Sequence, residues 1–290
     1  MLAIRTCGRL SAPALAAAMT LGAAPPSPAP VTAEVSYTAQ ERQEALSYWT
    51  PERMKEVGGT VDLGPTGPLT KTWKGAPVKT VGRLFLVNAK GADTWCTATA
   101  VKSGNRSVVM AAGHCVRLGS SPYNTYMNLV FAPGYAKGKA PYGVFPVRAT
   151  VTPASWAQNS VNDVSALAVD PVQGKALTDA VGGQPVAFGR RPGGDVTAFG
   201  YPASTPQRGE ELLYCAGRTK AAPDDEMSIP CDMTGGSSGG PWLADFDAAS
   251  GLGTLVSVNS HGDALEHSTT MSGPVLGATA RQVYDRAQRS

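Results

Sequence analysis

The chain has 290 residues, 42% of them hydrophobic and 16% charged, with a formal net charge of +3. That composition supports a sizeable core, in one large two-lobed unit or two average domains, and it carries fewer charges than the roughly 25% usual in soluble domains. A balance so close to neutral, with no basic cluster, excludes a charge-driven nucleic-acid binder, and 33 glycines and 23 prolines spread through the chain favour many turns.

At the N-terminus, Arg5 and Arg9 precede LSAPALAAAMTLGAA, which is apolar but too short and alanine-rich to span a bilayer. This is the pattern of a secretory signal peptide. It is expected to cover residues 1–33, where VTA supplies small residues before Glu34; a buried alanine-rich helix is the alternative. The product is then expected outside the cell, free of the membrane, as a monomer.

Residues 34–76 have a different texture. AQERQEALSYWTPERMKEV is charged and helically spaced, and it runs into the glycine-rich VGGTVDLGPTGP. A small helical segment with a linker is expected here, serving as a propeptide or as a structural arm. From residue 77 to 170, VGRLFLV, WCTATAV, SVVMAAGH, NLVFAPGY, VFPVRATVTP and DVSALAV are short apolar runs broken by turn residues. A second set fills residues 171–290: QPVAFG, DVTAFGYP, ELLYCAGRT, PWLADFD and GTLVSVNSHG. About six strands in each half predict an all-β chain of two antiparallel six-stranded barrels rather than βαβ units. GATARQVYDRAQ predicts one C-terminal helix packed on a barrel.

Of five cysteines, Cys7 falls in the signal stretch. Cys96, Cys115, Cys215 and Cys231 remain, an even set that predicts two disulfides with three possible connectivities. Proximity in sequence favours Cys96–Cys115 and Cys215–Cys231. Zinc is the rival because His114 adjoins Cys115, but no C-x2-C or H-x3-H spacing accompanies them. No metal and no cofactor is therefore expected.

Three segments carry candidate chemistry. His114 ends the apolar run VVMAAGHC, a rigid mount for a general base; taken by itself it reads sooner as a satisfied core histidine. Asp163 stands in NSVNDVSALAV where a loop enters a strand, a place where aspartates often cap their own turn. MTGGSSGGPW sets Ser237 and Ser238 between glycine pairs and apolar segments, which fits backbone held in an unusual conformation better than a linker. A hydroxyl needs a base to take its proton, and an imidazole serves best when a carboxylate fixes its tautomer.

In order, AAGHC, NDVSAL and GSSGGP resemble the histidine, aspartate and serine motifs of the chymotrypsin-like (trypsin-type) serine peptidases, and most nearly the secreted bacterial members related to glutamyl endopeptidases. The likeness spans residues 81–279. It implies a Ser238–His114–Asp163 triad acting on protein or peptide substrates, with an oxyanion hole of the Gly236 and Ser238 N–H groups. Ser237 departs from the family pattern, since most animal members carry there an aspartate that pairs with the freed N-terminus on activation. A role for residues 34–76 in latency is thus a hypothesis. VSVNSHG resembles the family's substrate-binding strand, so Ser260 is expected to bond the triad carboxylate, with His261 and Gly262 bordering the pocket. Asp232 lies six residues before Ser238, where a specificity carboxylate would read a basic residue, whereas His261 would favour an acidic one. His267 is expected on the surface.

Two rivals remain. One is a catalytically inactive binding member of the same fold. The other is an α/β-hydrolase esterase, because GSSGG also fits G-x-S-x-G; Gly240-Pro241 directly after it is a poor start for the helix that motif requires.

Overall fold

The computed structural model describes residues 31–60, 63–117, 126–156, 162–263 and 268–290. The signal stretch up to residue 30, Cys7 and His267 lie outside them.

The first half closes into a ring. In chain order the first strands are β1 (Thr32–Ser36), β2 (Lys71–Thr72), which pairs in the second half, β3 (Val81–Val87), β4 (Asp93–Ala100), β5 (Val108–Ala111), β6 (Met127–Pro133), β7 (Phe145–Pro153) and β8 (Ser165–Val169). Antiparallel pairing runs β6-β3-β4-β5-β8, and β7 bonds both β6 and β8, so six strands form a closed barrel. Every residue of β3, β5 and β8 is buried. This is why those segments read as near-continuous apolar runs rather than alternating ones. Leu84 sits opposite Cys96 on one side and Phe131 on the other, which places β3 at the centre of the wall.

The second half holds β9 (Asp195–Gly200), β10 (Leu213–Arg218), β11 (Lys220–Ala222), β12 (Glu226–Pro230), β13 (Pro241–Asp247), β14 (Leu252–Val258), β15 (His261–Gly262) and β16 (Thr270–Pro274). Here the pairing differs from the expected single ring. It runs in two sheets, β14-β13-β9-β10-β2 and β11-β12-β16-β15. The seams between them are closed by other means. The Cys215–Cys231 disulfide joins β10 to the end of β12, and the Ser257 hydroxyl of β14 donates to Pro274 O of β16 at 2.8 Å. Trp242, Ala198, Met227, Ile229 and Val256 fill the space between the sheets. QPVAFG forms only isolated bridges, Gln184 to Val101 of the first half and Val186 to Leu255 of the second, as it passes between them, and the Gln184 side chain bonds Thr80, Gly251 and Gly253. Pro241 enters β13 immediately after the glycine pair, so the helix an esterase elbow needs is absent at that point.

The N-terminal segment is built into both halves. β1 pairs with β7 from Thr32 onward, so it takes in the last two residues of the expected signal stretch. The predicted helix is broken in two, α1 (Ala39–Tyr48) and α2 (Pro51–Glu56), capped by Thr38 and Thr50. Pro51 lacks the N–H that would continue α1 but suits the first turn of α2. Trp49, between them, is 3% exposed and packs its ring 5.2 Å from that of Phe85. Further on, β2 pairs with β10, and Trp73 meets Phe199, Tyr214 and Phe246 edge-on. A five-residue helix, α3 (Leu177–Val181), links the halves, and α4 (Ala278–Ala287) returns to the first barrel with Ala280, Val283 and Ala287 buried against it.

Arg83 of β3 is fully buried beneath the N-terminal segment. Its guanidinium lies 4.1 Å from the Trp95 ring, 4.5 Å from Phe85 and 4.8 Å from Tyr135, and it pairs with Glu210 Oε1 at 3.0 Å. Burial pushes its pKa down to about 10, with Tyr135 and Glu210 opposing, so it stays charged at neutral pH. No helix among the described residues is long and apolar enough to cross a membrane.

Candidate active site

Strand β5 ends at Ala111, and a single tight turn, Gly113–Cys115, projects the His114 ring while Cys115 is bonded back to Cys96 on β4. The histidine is thus held by a buried strand before it and a crosslink after it. Asp163 precedes β8, is 4% exposed, and grips His114 twice: Oδ1 accepts the His114 backbone N–H at 2.9 Å, and Oδ2 lies 2.7 Å from Nδ1. Ser260, at the end of β14 in the second half, donates to the same Oδ2 at 2.5 Å. With Nδ1 donating to the carboxylate, Nε2 is the lone-pair nitrogen.

Electrostatics follow from this geometry. Burial opposes the charged form of Asp163, but the His114 charge, the hydrogen bonds from His114 and Ser260 and the backbone N–H together hold its carboxyl below the usual range. Burial likewise opposes an imidazolium at His114, yet the Asp163 carboxylate outweighs it and raises the histidine above its ordinary value.

The serine loop distinguishes its two hydroxyls. Ser237 is 1% exposed and donates to Thr234 O at 2.7 Å. Ser238 is half-buried, and its hydroxyl makes no hydrogen bond among the described residues. Its carbonyl accepts Thr97 N–H at 2.8 Å and lies 3.6 Å from Cys115 Sγ, next to His114. The N–H groups of Gly236 and Ser238 likewise donate to nothing among the described residues, while Ser237, Gly239 and Gly240 N–H are all engaged. Gly236 has φ +90, and a Cβ there would lie 2.7 Å from Tyr201 O; Gly239 has φ +79, and a Cβ there would lie 2.4 Å from Thr97 O. Both conformation and space therefore require glycine.

No family model and no curated protein matches the sequence at a significant level. Solved structures do. The protease Anisep from Arthrobacter nicotinovorans is 35% identical with a TM-score of 0.69, over 76% of this chain and 100% of its own. The chain belongs to the chymotrypsin-like serine peptidase family. The thermostable serine protease AL20 from an extremophilic microorganism is 34% identical with a TM-score of 0.68, over 73% of this chain and 98% of its own. A Glu endopeptidase shares the fold at 17% identity, with a TM-score of 0.62 over 79% of this chain and 100% of its own. This peptidase is thus related to serine proteases at 34–35% identity, while the Glu endopeptidase shows the fold alone.

Around the imidazole of the peptidase opens a cavity of about 490 Å³, lined among others by His114, Trp156, Asp163, Glu226, Ser260 and His261. His261 is over half exposed, and its Nε2 pairs with Glu226 Oε2 at 2.9 Å, so a carboxylate already partners the ring that would read an acidic substrate residue. Gly262 continues β15 beside Met271. Asp232 stands apart from this cavity, because its carboxylate is taken up by the N-terminal segment: Oδ1 accepts Thr70 N–H at 2.8 Å and Thr70 Oγ1 at 2.5 Å, and Oδ2 accepts Leu69 N–H at 2.9 Å. A specificity carboxylate was the expectation at this position; the structure gives it protein partners instead. Sequence reading passed over Asn259. Its side chain donates to Ser237 O at 2.9 Å and Phe199 O at 3.0 Å while its backbone brackets Gly239 and Gly240. Only the proximity of SHG hinted at it. Cys96, His114 and Cys115 lie close enough to suggest a metal cluster. The two sulfurs are bonded to each other, so neither is a thiolate ligand.

Proposed function

We propose that the chain is a secreted serine endopeptidase working through an acyl-enzyme, with Ser238 as nucleophile. The observation that carries this is the hydrogen-bonded line Ser260–Asp163–His114, with the Ser238 carbonyl 3.6 Å from the sulfur of Cys115 next to His114 and a serine loop that leaves two N–H donors unused among the described residues. Ser238 Oγ attacks the peptide carbonyl carbon as His114 Nε2 takes its proton. Gly236 and Ser238 N–H receive the developing oxyanion, a contribution worth about 10²–10³ in rate per donor. The C–N bond then breaks as His114 returns the proton to the leaving amine. Water, deprotonated by His114, attacks the acyl carbon and frees the serine. Asp163 remains ionised throughout, holding the tautomer.

Two disulfides fit an oxidising compartment, in keeping with removal of the signal stretch and export. A fluorophosphonate tests the reading, since phosphonylation forms an Oγ–P bond and expels fluoride only at an activated serine. Labelling of the wild type and of Ser237→Ala, and none of Ser238→Ala, is the expected result. A chain that takes no label would instead be the inactive binding member of the fold.

A further inference from the structure

Residues 63–72 run along the second half as a strap. Thr66 N–H donates to Thr205 O at 2.9 Å, and its hydroxyl lies 3.0 Å from Ser204 Oγ. That same stretch holds the nucleophile loop: Ser204 N–H donates to Thr234 Oγ1 at 3.2 Å and Ala203 N–H to Gly235 O at 2.8 Å. Gly67 passes so near Asp232 that a Cβ would lie 2.1 Å from Oδ2, and a Cβ on Gly235 would meet Leu63 Cδ1 at 3.2 Å. Beyond the carboxylate, β2 fixes the strap in the sheet against β10.

We infer that Asp232 is a positioning residue: bonded by Leu69 and Thr70, it anchors the start of the loop that carries Ser238, and the strap therefore stays in the working enzyme. The reasons are chemical. All three donors to Asp232 come from the strap, and Thr70 is 7% exposed, so the carboxylate is occupied from the side of residues 69–70. Gly236, four residues on, holds φ +90 with its N–H donating to nothing among the described residues, and a loop fixed at Asp232, at Thr234 and at Gly236 O by Thr97 Oγ1 keeps that geometry before substrate arrives. Ser237 cannot form an ion pair with a freed N-terminus, and the strap supplies the missing restraint. Processing that removes residues before the strap is compatible with activity, whereas loss of residues 69–70 is not.

This inference rests on the peptidase reading, and the experiment separates the two. The acylation rate of Ser238 by a fluorophosphonate and kcat/KM on peptides differing only in Arg, Leu or Glu before the scissile bond are measured for wild type, Thr70→Val, Thr70→Ser and Asp232→Ala. Thr70→Val and Asp232→Ala are expected to slow acylation roughly ten- to a hundredfold, as small misplacements do, and to lower kcat equally on all three peptides with KM little changed. Thr70→Ser, which keeps the hydroxyl, restores the rate. Loss confined to the Arg peptide makes Asp232 a substrate-reading residue and overturns the inference, as does a wild-type rate in Thr70→Val. If the variants fail to fold, the N-terminus of active wild-type enzyme decides: a first residue at or before Leu69 supports the strap, and a later one refutes it. A wild type that takes no label sinks the peptidase reading itself.

Discussion

At the residue scale the chemistry turns on how the buried Asp163 carboxylate sets the charge of the half-buried His114 ring beside it. Asp163 is held ionised and His114 is raised by the same contact, so the base is neutral only above a pKa higher than the ordinary ~6.5. The sign follows. kcat/KM is expected to fall as pH drops through that raised value, with the inflection above 6.5, and a profile flat from pH 5 to 8 would refute His114 as base. Asp163→Asn keeps the shape but favours the wrong tautomer, and a loss of about 10⁴ in kcat is expected, the size seen when a triad carboxylate is neutralised. His114, Asp163 and Ser238 were legible in sequence because each motif couples a reactive group to its local backbone. The partners of Asp232 were not, since Leu69 and Thr70 reach it from more than 160 residues away.

At the element scale, the break between α1 and α2 shows local chemistry and packing acting together. Pro51 and the two threonine caps set where the helices stop and start, whereas the sequence read as a single charged helical segment. Which face it buries was not readable there. α1 is weakly amphipathic, with Ala45 its one fully buried position, and Trp49 at the junction provides the anchor by entering the barrel core against Phe85 and donating its Nε1–H to Asn128 O at 2.6 Å. Trp49→Ala is expected to destabilise the fold by about 3–5 kcal/mol, as for other buried aromatic truncations. Urea unfolding would register this as a lower midpoint with activity retained below the transition. An unchanged midpoint would mean that the segment adds nothing to the fold.

For the whole molecule, the coupling of the halves lies partly in one buried cation. Arg83 belongs to the first barrel, Glu210 to the loop between β9 and β10, and Met54 O of α2 completes the cage at 3.4 Å. Glu210 keeps 20% exposure on its side chain, so solvent softens the cost of removing it. Glu210→Leu leaves the guanidinium unpaired and is expected to cost on the order of 3 kcal/mol, the low end for broken buried pairs, whereas Glu210→Gln retains an acceptor and costs less. Thermal melts of the two variants check the order, and equal melting temperatures would remove the charge argument.

Read alone, the sequence determined the all-β class and the C-terminal helix, expected a barrel in each half, of which the first closes, favoured the pairing Cys96–Cys115 and Cys215–Cys231, and marked the segments that hold His114, Asp163 and Ser238. Each of these is written in short-range pattern: apolar runs, glycine pairs, neighbouring cysteines. Only tertiary structure decided that the second half pairs as two sheets, that Glu226 takes the His261 ring, that Asn259 braces the serine loop, and that the N-terminal strap holds Asp232. Those contacts join residues tens to hundreds of positions apart, where nothing in the local pattern records which polar group will find which partner; folding brings them together because buried donors and acceptors must be satisfied by whatever the chain carries past them.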